Sequence, residues 1–173
     1  DIYKETFRLI AEQSDVLCYP TWPPRSDTLF DVARFAHAIA LAEDPDIALP
    51  FMDVDTGAML RGKYDRVAKH FVDPDHMYEN THGETVETLE KMQELDLKPR
   101  FGMRELGHIR HLEAFMDMGL IKEPLLLKFG FNDDLLFNLP PGPRSIQAFL
   151  DWLPDGLDYE WFTQHQGASH HIV

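Results

Sequence analysis

The chain has 173 residues with 16 basic and 30 acidic side chains, which gives a formal charge of −14. This acidic balance argues against binding to nucleic acid or anionic lipid, because like charges repel, and no apolar run approaches the roughly 20 residues that span a bilayer. Cys18 is the only cysteine, which excludes an internal disulfide and a thiolate-rich zinc site. We therefore expect a single soluble, cytoplasmic domain over residues 1–173.

Apolar segments and stretches of helical periodicity alternate along the chain. A helix is predicted first, over residues 1–13, and a second, capped by Ser26 or Asp27, ends near residue 42. Further helices are predicted at 64–71, 84–95, 107–118 and from the Pro-rich loop at 140–143 to residue 153. The predicted strands are residues 15–20, 47–52, 75–79, 99–103, 124–131 and 157–162.

The strand spacing predicts an α/β fold with a parallel sheet. Successive strands begin about 24–33 residues apart, which is the size of one βα unit. Both a six-stranded doubly wound sheet and most of an eight-stranded βα barrel fit this pattern. A complete barrel takes about 250 residues, so a barrel would lack two units here. Both ends of the sequence also look cut rather than finished.

Polar residues follow the predicted strands, where the chemistry of a parallel α/β protein is found. Thr21, Asn80 and His165 are candidates for substrate binding, because a hydroxyl, an amide and an imidazole can each hydrogen-bond a carboxylate or keto oxygen. The alternatives are ordinary turn or capping roles. Thr81 and Glu84, for example, have the spacing of a capping box directly after Asn80.

Charged residues near two of these strand ends are candidates for catalysis. Glu105 is a possible general base and His108 a possible substrate-orienting group, although a solvated ion pair and a structural histidine are the simpler interpretations. His108 and His111 share a helical face, but no acid at a matching spacing completes a metal site. Asp53 and Asp55 would face one side of an extended segment as a cation-binding pair or, more simply, form a solvated acidic turn.

Several motifs in order resemble the β-keto acid cleavage enzyme family, which includes 3-keto-5-aminohexanoate cleavage enzyme. Residues 97–110, LKPRFGMRELGHIR, are similar to the family's strand-to-helix segment KPE-x-E-x-FD-x-GH. Residues 118–125, MGLIKEPL, resemble its GLL-x-x-PL segment. Further similar segments are residues 15–21, 78–81, 128–131 and 153–161.

This resemblance implies a (β/α)8 TIM barrel of which the chain holds only about six βα units, without the first two strands and the last. It implies one Zn²⁺ ion, whose His-x-His pair and Glu ligand lie on strands that are absent here. It also implies condensation of a β-keto acid with acetyl-CoA to give acetoacetate and a CoA thioester, in a homotetramer. Of the family's parts the chain would offer the orienting groups, namely Thr21, Asn80, His108 and Glu105.

Departures from the family pattern leave two alternatives open. The chain has Gly102 for a strand-end Glu, Arg104-Glu105 for Phe-Asp, Asn132 for a Gly and Trp22-Pro23-Pro24 for a Gly-Gly turn. One alternative is a non-catalytic barrel of the same ancestry that serves in binding or assembly. The other is a different barrel enzyme that uses Asp53, Asp55 and a divalent cation.

Overall fold

The computed structural model describes residues 2–21 and 35–167. The helices of this part are α1 (Ile2–Gln13), α2 (Ala36–Ala42), α3 (His82–Glu94), α4 (Ile109–Asp117) and α5 (Pro143–Trp152). A short 3-10 turn, Leu106–His108, precedes α4. The strands are β1 (Phe51–Asp55), β2 (Gly57–Leu60), β3 (Lys63–Asp65), β4 (His70–Val72), β5 (Met77–Asn80), β6 (Lys98–Met103), β7 (Leu125–Asn132) and β8 (Tyr159–Gln166). No helix among these is long and apolar enough to cross a membrane.

Four parallel strands form the main sheet, in the order β1-β6-β7-β8. The strands β7 and β8 pair over their whole length, from Leu125 opposite Tyr159 to Asn132 opposite Gln166. Two small antiparallel pairs, β2 with β5 and β3 with β4, lie outside this sheet. The α/β class and the parallel sheet are therefore confirmed. The described residues form an open sheet of four strands, not the six parallel strands that the sequence predicts.

Three predicted elements in the first half of the chain differ in type or in pairing. The predicted strand at 15–20 has no regular secondary structure. The predicted strand at 75–79 corresponds to β5, which pairs antiparallel with β2 instead of joining the main sheet. The predicted helix at 64–71 is wrong, because this segment is the β3–β4 hairpin. Asp65 Oδ1 accepts hydrogen bonds from the backbone N–H groups of Val67 and Ala68, which closes the hairpin turn.

Two further predictions differ in position. The strand expected at 47–52 is β1, which begins after Pro50 and extends to Asp55. The structure describes the last part of the helix that is expected to end near residue 42, and this part is α2. Its predicted caps Ser26 and Asp27 lie outside the described residues. The turn Trp22-Pro23-Pro24 does so as well.

One face of the main sheet is apolar and packs against α3, α4 and α5. The ring of Phe129 stacks on Phe149 of α5 at 4.7 Å, and Phe101 stacks on Phe115 of α4 at 6.3 Å, measured between ring centroids. Both Phe101 and Phe129 are completely buried. Side chains alternate along a strand, so the residues next to Phe101 in β6 and next to Phe129 in β7 face the opposite side of the sheet. That opposite side carries charges.

Candidate functional site

A cluster of charged side chains occupies the second face of the main sheet. Asp53 on β1 lies in register with Arg100 on β6, and Asp55 lies in register with Gly102. Gly102 is in turn opposite Lys128 on β7, and Arg104 follows the end of β6. We call the side chains of Asp53, Asp55, Arg100, Arg104 and Lys128 the polar face.

Asp53 holds two buried cations in the first layer of the polar face. Its carboxylate accepts a very short hydrogen bond from Arg100 and one of 2.7 Å from Lys128 Nζ. The side chains of Arg100 and Lys128 are only 5% and 6% exposed, so Asp53 compensates charges that water scarcely reaches. The Arg100 guanidinium also lies over the rings of Tyr19 and Phe51, at 3.7 and 4.4 Å from their centroids.

Asp55 forms the second layer, closer to the carboxyl ends of the strands. Its Oδ2 accepts hydrogen bonds from Tyr78 Oη at 2.9 Å and from Arg104 Nη2 at 3.2 Å. Burial alone would raise the pKa of Asp55, but the charges of Arg104 and Lys128 and these hydrogen bonds outweigh it and lower the pKa. Asp55 is therefore a carboxylate at neutral pH.

The second layer also contains buried polar atoms that lack a hydrogen-bond partner within the described part of the chain. They are Asp55 Oδ1, Arg104 Nε and Gln164 Oε1. Gln164 is in register with Gly130, two residues beyond Lys128 on the same face. Buried polar groups are nearly always satisfied by protein or water. Arg104 Nε–H is a donor that suits an anion, whereas the oxygens of Asp55 and Gln164 are acceptors and suit a donor such as water. The polar face has three cations against two carboxylates, which favours an anionic group.

His108 lies beside this layer, at the turn that follows β6. Its Nδ1 accepts a hydrogen bond of 3.2 Å from the backbone N–H of Arg104. Burial lowers the pKa of His108 more strongly than the charges of Glu105 and Asp55 raise it. His108 is therefore neutral at neutral pH, with its proton on Nε2, and this atom lies 3.7 Å from Glu105 Oε1.

Asn80 and His108 approach Gly57, just after β1, and Glu105 lies beside His108. Asn80 Nδ2 donates to the carbonyl of Gly57 at 3.3 Å. A Cβ atom at Gly57, which has a φ of +73°, would lie 3.1 Å from His108 Nε2. Thr81, directly after Asn80, forms the predicted capping box of α3 with Glu84. Of the sequence-predicted residues, Asn80 and His108 are thus brought together at Gly57, and Glu105 lies beside His108.

Thr21 and His165 have other surroundings. The side chain of Thr21 is exposed, and its carbonyl oxygen lies 3.0 Å from His37 Nε2. His165 is in register with Phe131, so it belongs to the apolar face, and its Nε2 lies 3.4 Å from Asp133 Oδ1. The structure does not join either residue to the polar face.

The interpretation of Asp53 and Asp55 as a solvated acidic turn is wrong. Both residues lie in β1, with side chains 13% exposed and paired with cations. The same pairing means that their carboxylates already have partners, so they do not form a free site for a divalent cation. Sequence reasoning missed Arg100, Lys128 and Tyr78. The available signal was a lysine inside the apolar strand LLLKFGFN, since such a charge is buried only with a partner.

The ligand set for a zinc ion is not present within the described residues. No group of three or more His, Cys, Asp or Glu side chains converges there as metal ligands do. The nearest arrangement is a pair, His82 and His111, whose Nε2 atoms are 3.3 Å apart. His111 also stacks on His108, with ring centroids 5.9 Å apart. Two imidazoles fall short of the usual three or four protein ligands.

These features define an α/β chain with a cluster of buried ion pairs on one face of a parallel sheet. The model of the beta-keto acid cleavage enzyme family matches residues 1–171, so the chain belongs to that family. The family has a TIM-barrel fold and is generally metal-dependent. No curated protein matches the chain. The family resemblance seen in the sequence is thereby confirmed.

Proposed function

We propose that the chain takes part in zinc-dependent cleavage of a β-keto acid with acetyl-CoA, giving acetoacetate and a new CoA thioester. Family membership supports the reaction class. The observation that carries the proposal is the polar face, which has an excess of one positive charge and a buried Arg104 Nε–H without a hydrogen-bond partner among the described residues. A β-keto acid is a small anion, and this face matches its charge.

Two cations of the polar face are assigned to substrate binding. Arg104 and Lys128 attract the carboxylate of the β-keto acid, and Arg104 provides a planar guanidinium that suits carboxylate geometry. Asn80 lies at the same end of the fold and provides an amide for orienting the substrate. The roles of Thr21 and His165 in substrate binding stay predictions.

Glu105 and His108 are assigned to proton transfer and orientation. Glu105 has a side chain 35% exposed, so substrate can reach its carboxylate, which then accepts a proton as general base. Neutral His108 keeps a proton on Nε2 and can donate a hydrogen bond to developing negative charge. Because Nδ1 of His108 is fixed by the N–H of Arg104, the imidazole and the Arg104 backbone hold one another in place.

The zinc ion has no complete ligand set in the described residues. Zinc dependence rests on the family resemblance. The homotetramer and the cytoplasmic location expected from the sequence likewise stay predictions.

The alternative proposal is a non-catalytic member of the family that binds a β-keto acid without cleaving it. Gly102 favours it, because it stands where the family pattern has a strand-end Glu. The two proposals share the polar face and differ in whether product forms.

The test is incubation of the chain with Zn²⁺, acetyl-CoA and a panel of β-keto acids, followed by mass spectrometry of the CoA thioesters. The proposal expects a new acyl-CoA from at least one β-keto acid, and its loss in Arg104→Met. Binding of a β-keto acid without any new thioester would contradict the enzyme and support the binding protein. Undiminished product formation by Arg104→Met would refute the assignment of the polar face to substrate binding.

A further inference from the structure

The second layer of the polar face contains a close fit between Asp55 and Gly102. The two residues are in register on neighbouring strands, and Asp55 Oδ1 occupies the place where a Cβ atom of residue 102 would lie. Any side chain at position 102 would therefore overlap the Asp55 carboxylate. The residue is in a buried strand and needs no unusual backbone angle, so its lack of a side chain matters here for space.

The carboxylate that fits over Gly102 fixes two neighbouring groups. Asp55 Oδ2 receives hydrogen bonds from Tyr78 Oη and Arg104 Nη2, whereas its Oδ1 is packed against Gly102. Arg104 has no other ion-pair partner within 4 Å among the described residues. The orientation of its guanidinium thus depends on Asp55, and the position of Asp55 depends on Gly102.

We propose that Asp55 is a positioning residue that aims Arg104 at the carboxylate of the substrate, and that Gly102 is the specificity-determining residue that admits Asp55. This inference rests on the proposed function, because it takes Arg104 as the carboxylate-binding group. Substrates that carry a carboxylate one carbon away from the ketone are then preferred over neutral ketones of the same shape.

The position of the overlap makes Gly102→Ala an informative variant. The atoms that a new methyl group would meet are the end of the Asp55 side chain and, at 3.4 Å, Lys128 Cε. No backbone atom is among these nearest neighbours, so the methyl group displaces the carboxylate while the sheet stays intact. Gly130→Ala is the matched control on the next strand of the same face. Its nearest neighbours, Arg104 Cγ and the carbonyl oxygen of Met103, are both at 3.5 Å, an ordinary contact distance.

The experiment compares binding of acetoacetate with binding of acetoacetamide, its neutral analogue, by isothermal titration calorimetry. The wild-type chain is expected to prefer acetoacetate by about tenfold or more, since charge-assisted hydrogen bonds are the stronger ones. Gly102→Ala and Asp55→Ala should each bring this ratio close to one, whereas Gly130→Ala should keep it. A general loss of structure would weaken both ligands equally, so the ratio isolates positioning. Circular dichroism checks that each variant is folded.

The double variant Asp55→Ala/Gly102→Ala decides whether the two residues act as a pair. With the carboxylate absent, the alanine at 102 has nothing to displace, so the double variant should match Asp55→Ala alone. Additive effects, a wild-type chain without preference for acetoacetate, or a Gly102→Ala chain that keeps the full preference would each overturn the inference. If the wild-type chain shows the preference and yet forms no acyl-CoA, the proposed cleavage fails while the positioning role stands.

Discussion

Substitution of Asp53 by Asn tests the ion pairs of the polar face most severely. Asp53 is the ion-pair partner of both Arg100 and Lys128 in the described chain. Asn keeps the shape of the side chain but leaves two nearly buried cations without a counter-charge. Breaking a single buried pair in this way typically costs about 3–5 kcal/mol. We expect Asp53→Asn to lower the free energy of unfolding by at least this amount.

The partners of Asp53 provide the comparison. Lys128→Met should cost less than about 2 kcal/mol, because it removes one buried charge and leaves Asp53 paired with Arg100. Glu94→Gln removes the exposed pair with Lys91 and should cause no measurable change. Urea unfolding followed by circular dichroism measures all three variants. If Asp53→Asn cost no more than Lys128→Met, the account of Asp53 as the shared counter-charge would be refuted.

Two further predictions concern the segments around the site. Burial lowers the pKa of His108 in the folded chain, so the unfolded chain takes up a proton first as the pH falls. The contribution of His108 to the free energy of unfolding is therefore fully present above about pH 6.5 and declines below that value. His108→Asn keeps an acceptor for the Arg104 N–H and should flatten this decline in urea unfolding between pH 7 and 5; an unchanged pH dependence would show that His108 does not titrate there. Thr81→Ala removes the capping box with Glu84 and should lower the free energy of unfolding by about 1 kcal/mol, with a loss of α3 helicity in circular dichroism. The control Thr163→Ala in β8 removes no cap and should leave the helicity unchanged; an equal loss of helicity in both variants would contradict the role of the cap.

The sequence predicted the second half of the fold more closely than the first. Strand β7 has the sequence LLLKFGFN, and such continuous apolar content is typical of strands covered on both sides. The hairpin β3–β4 was missed because Tyr64, Val67 and Phe71 also fit a helical period. Hydrogen bonds from the backbone to Asp65 stabilise the hairpin turn, and the spacing of apolar residues does not show such hydrogen bonds.

The sequence predicts only part of the candidate site, because it shows where strands end but not which strands lie side by side. The position of Asn80 and His108 at strand ends follows from the parallel topology, and the structure brings both to Gly57. The sequence leaves a cation-binding pair and a solvated turn open for Asp53 and Asp55, because the partners of Asp53, Arg100 and Lys128, lie 47 and 75 residues away in the sequence. Pairing over such separations depends on strand register, which a single sequence does not display.

Transfer of an isotope label measures the proposed reaction most directly. Acetyl-CoA labelled with ¹³C in its acetyl group is incubated with the chain, Zn²⁺ and the β-keto acid that gives the most product. The account predicts that the label appears in acetoacetate, and that the acyl part of the β-keto acid appears as an unlabelled CoA thioester. Consumption of the β-keto acid while the label stays in acetyl-CoA or appears as free acetate would contradict it.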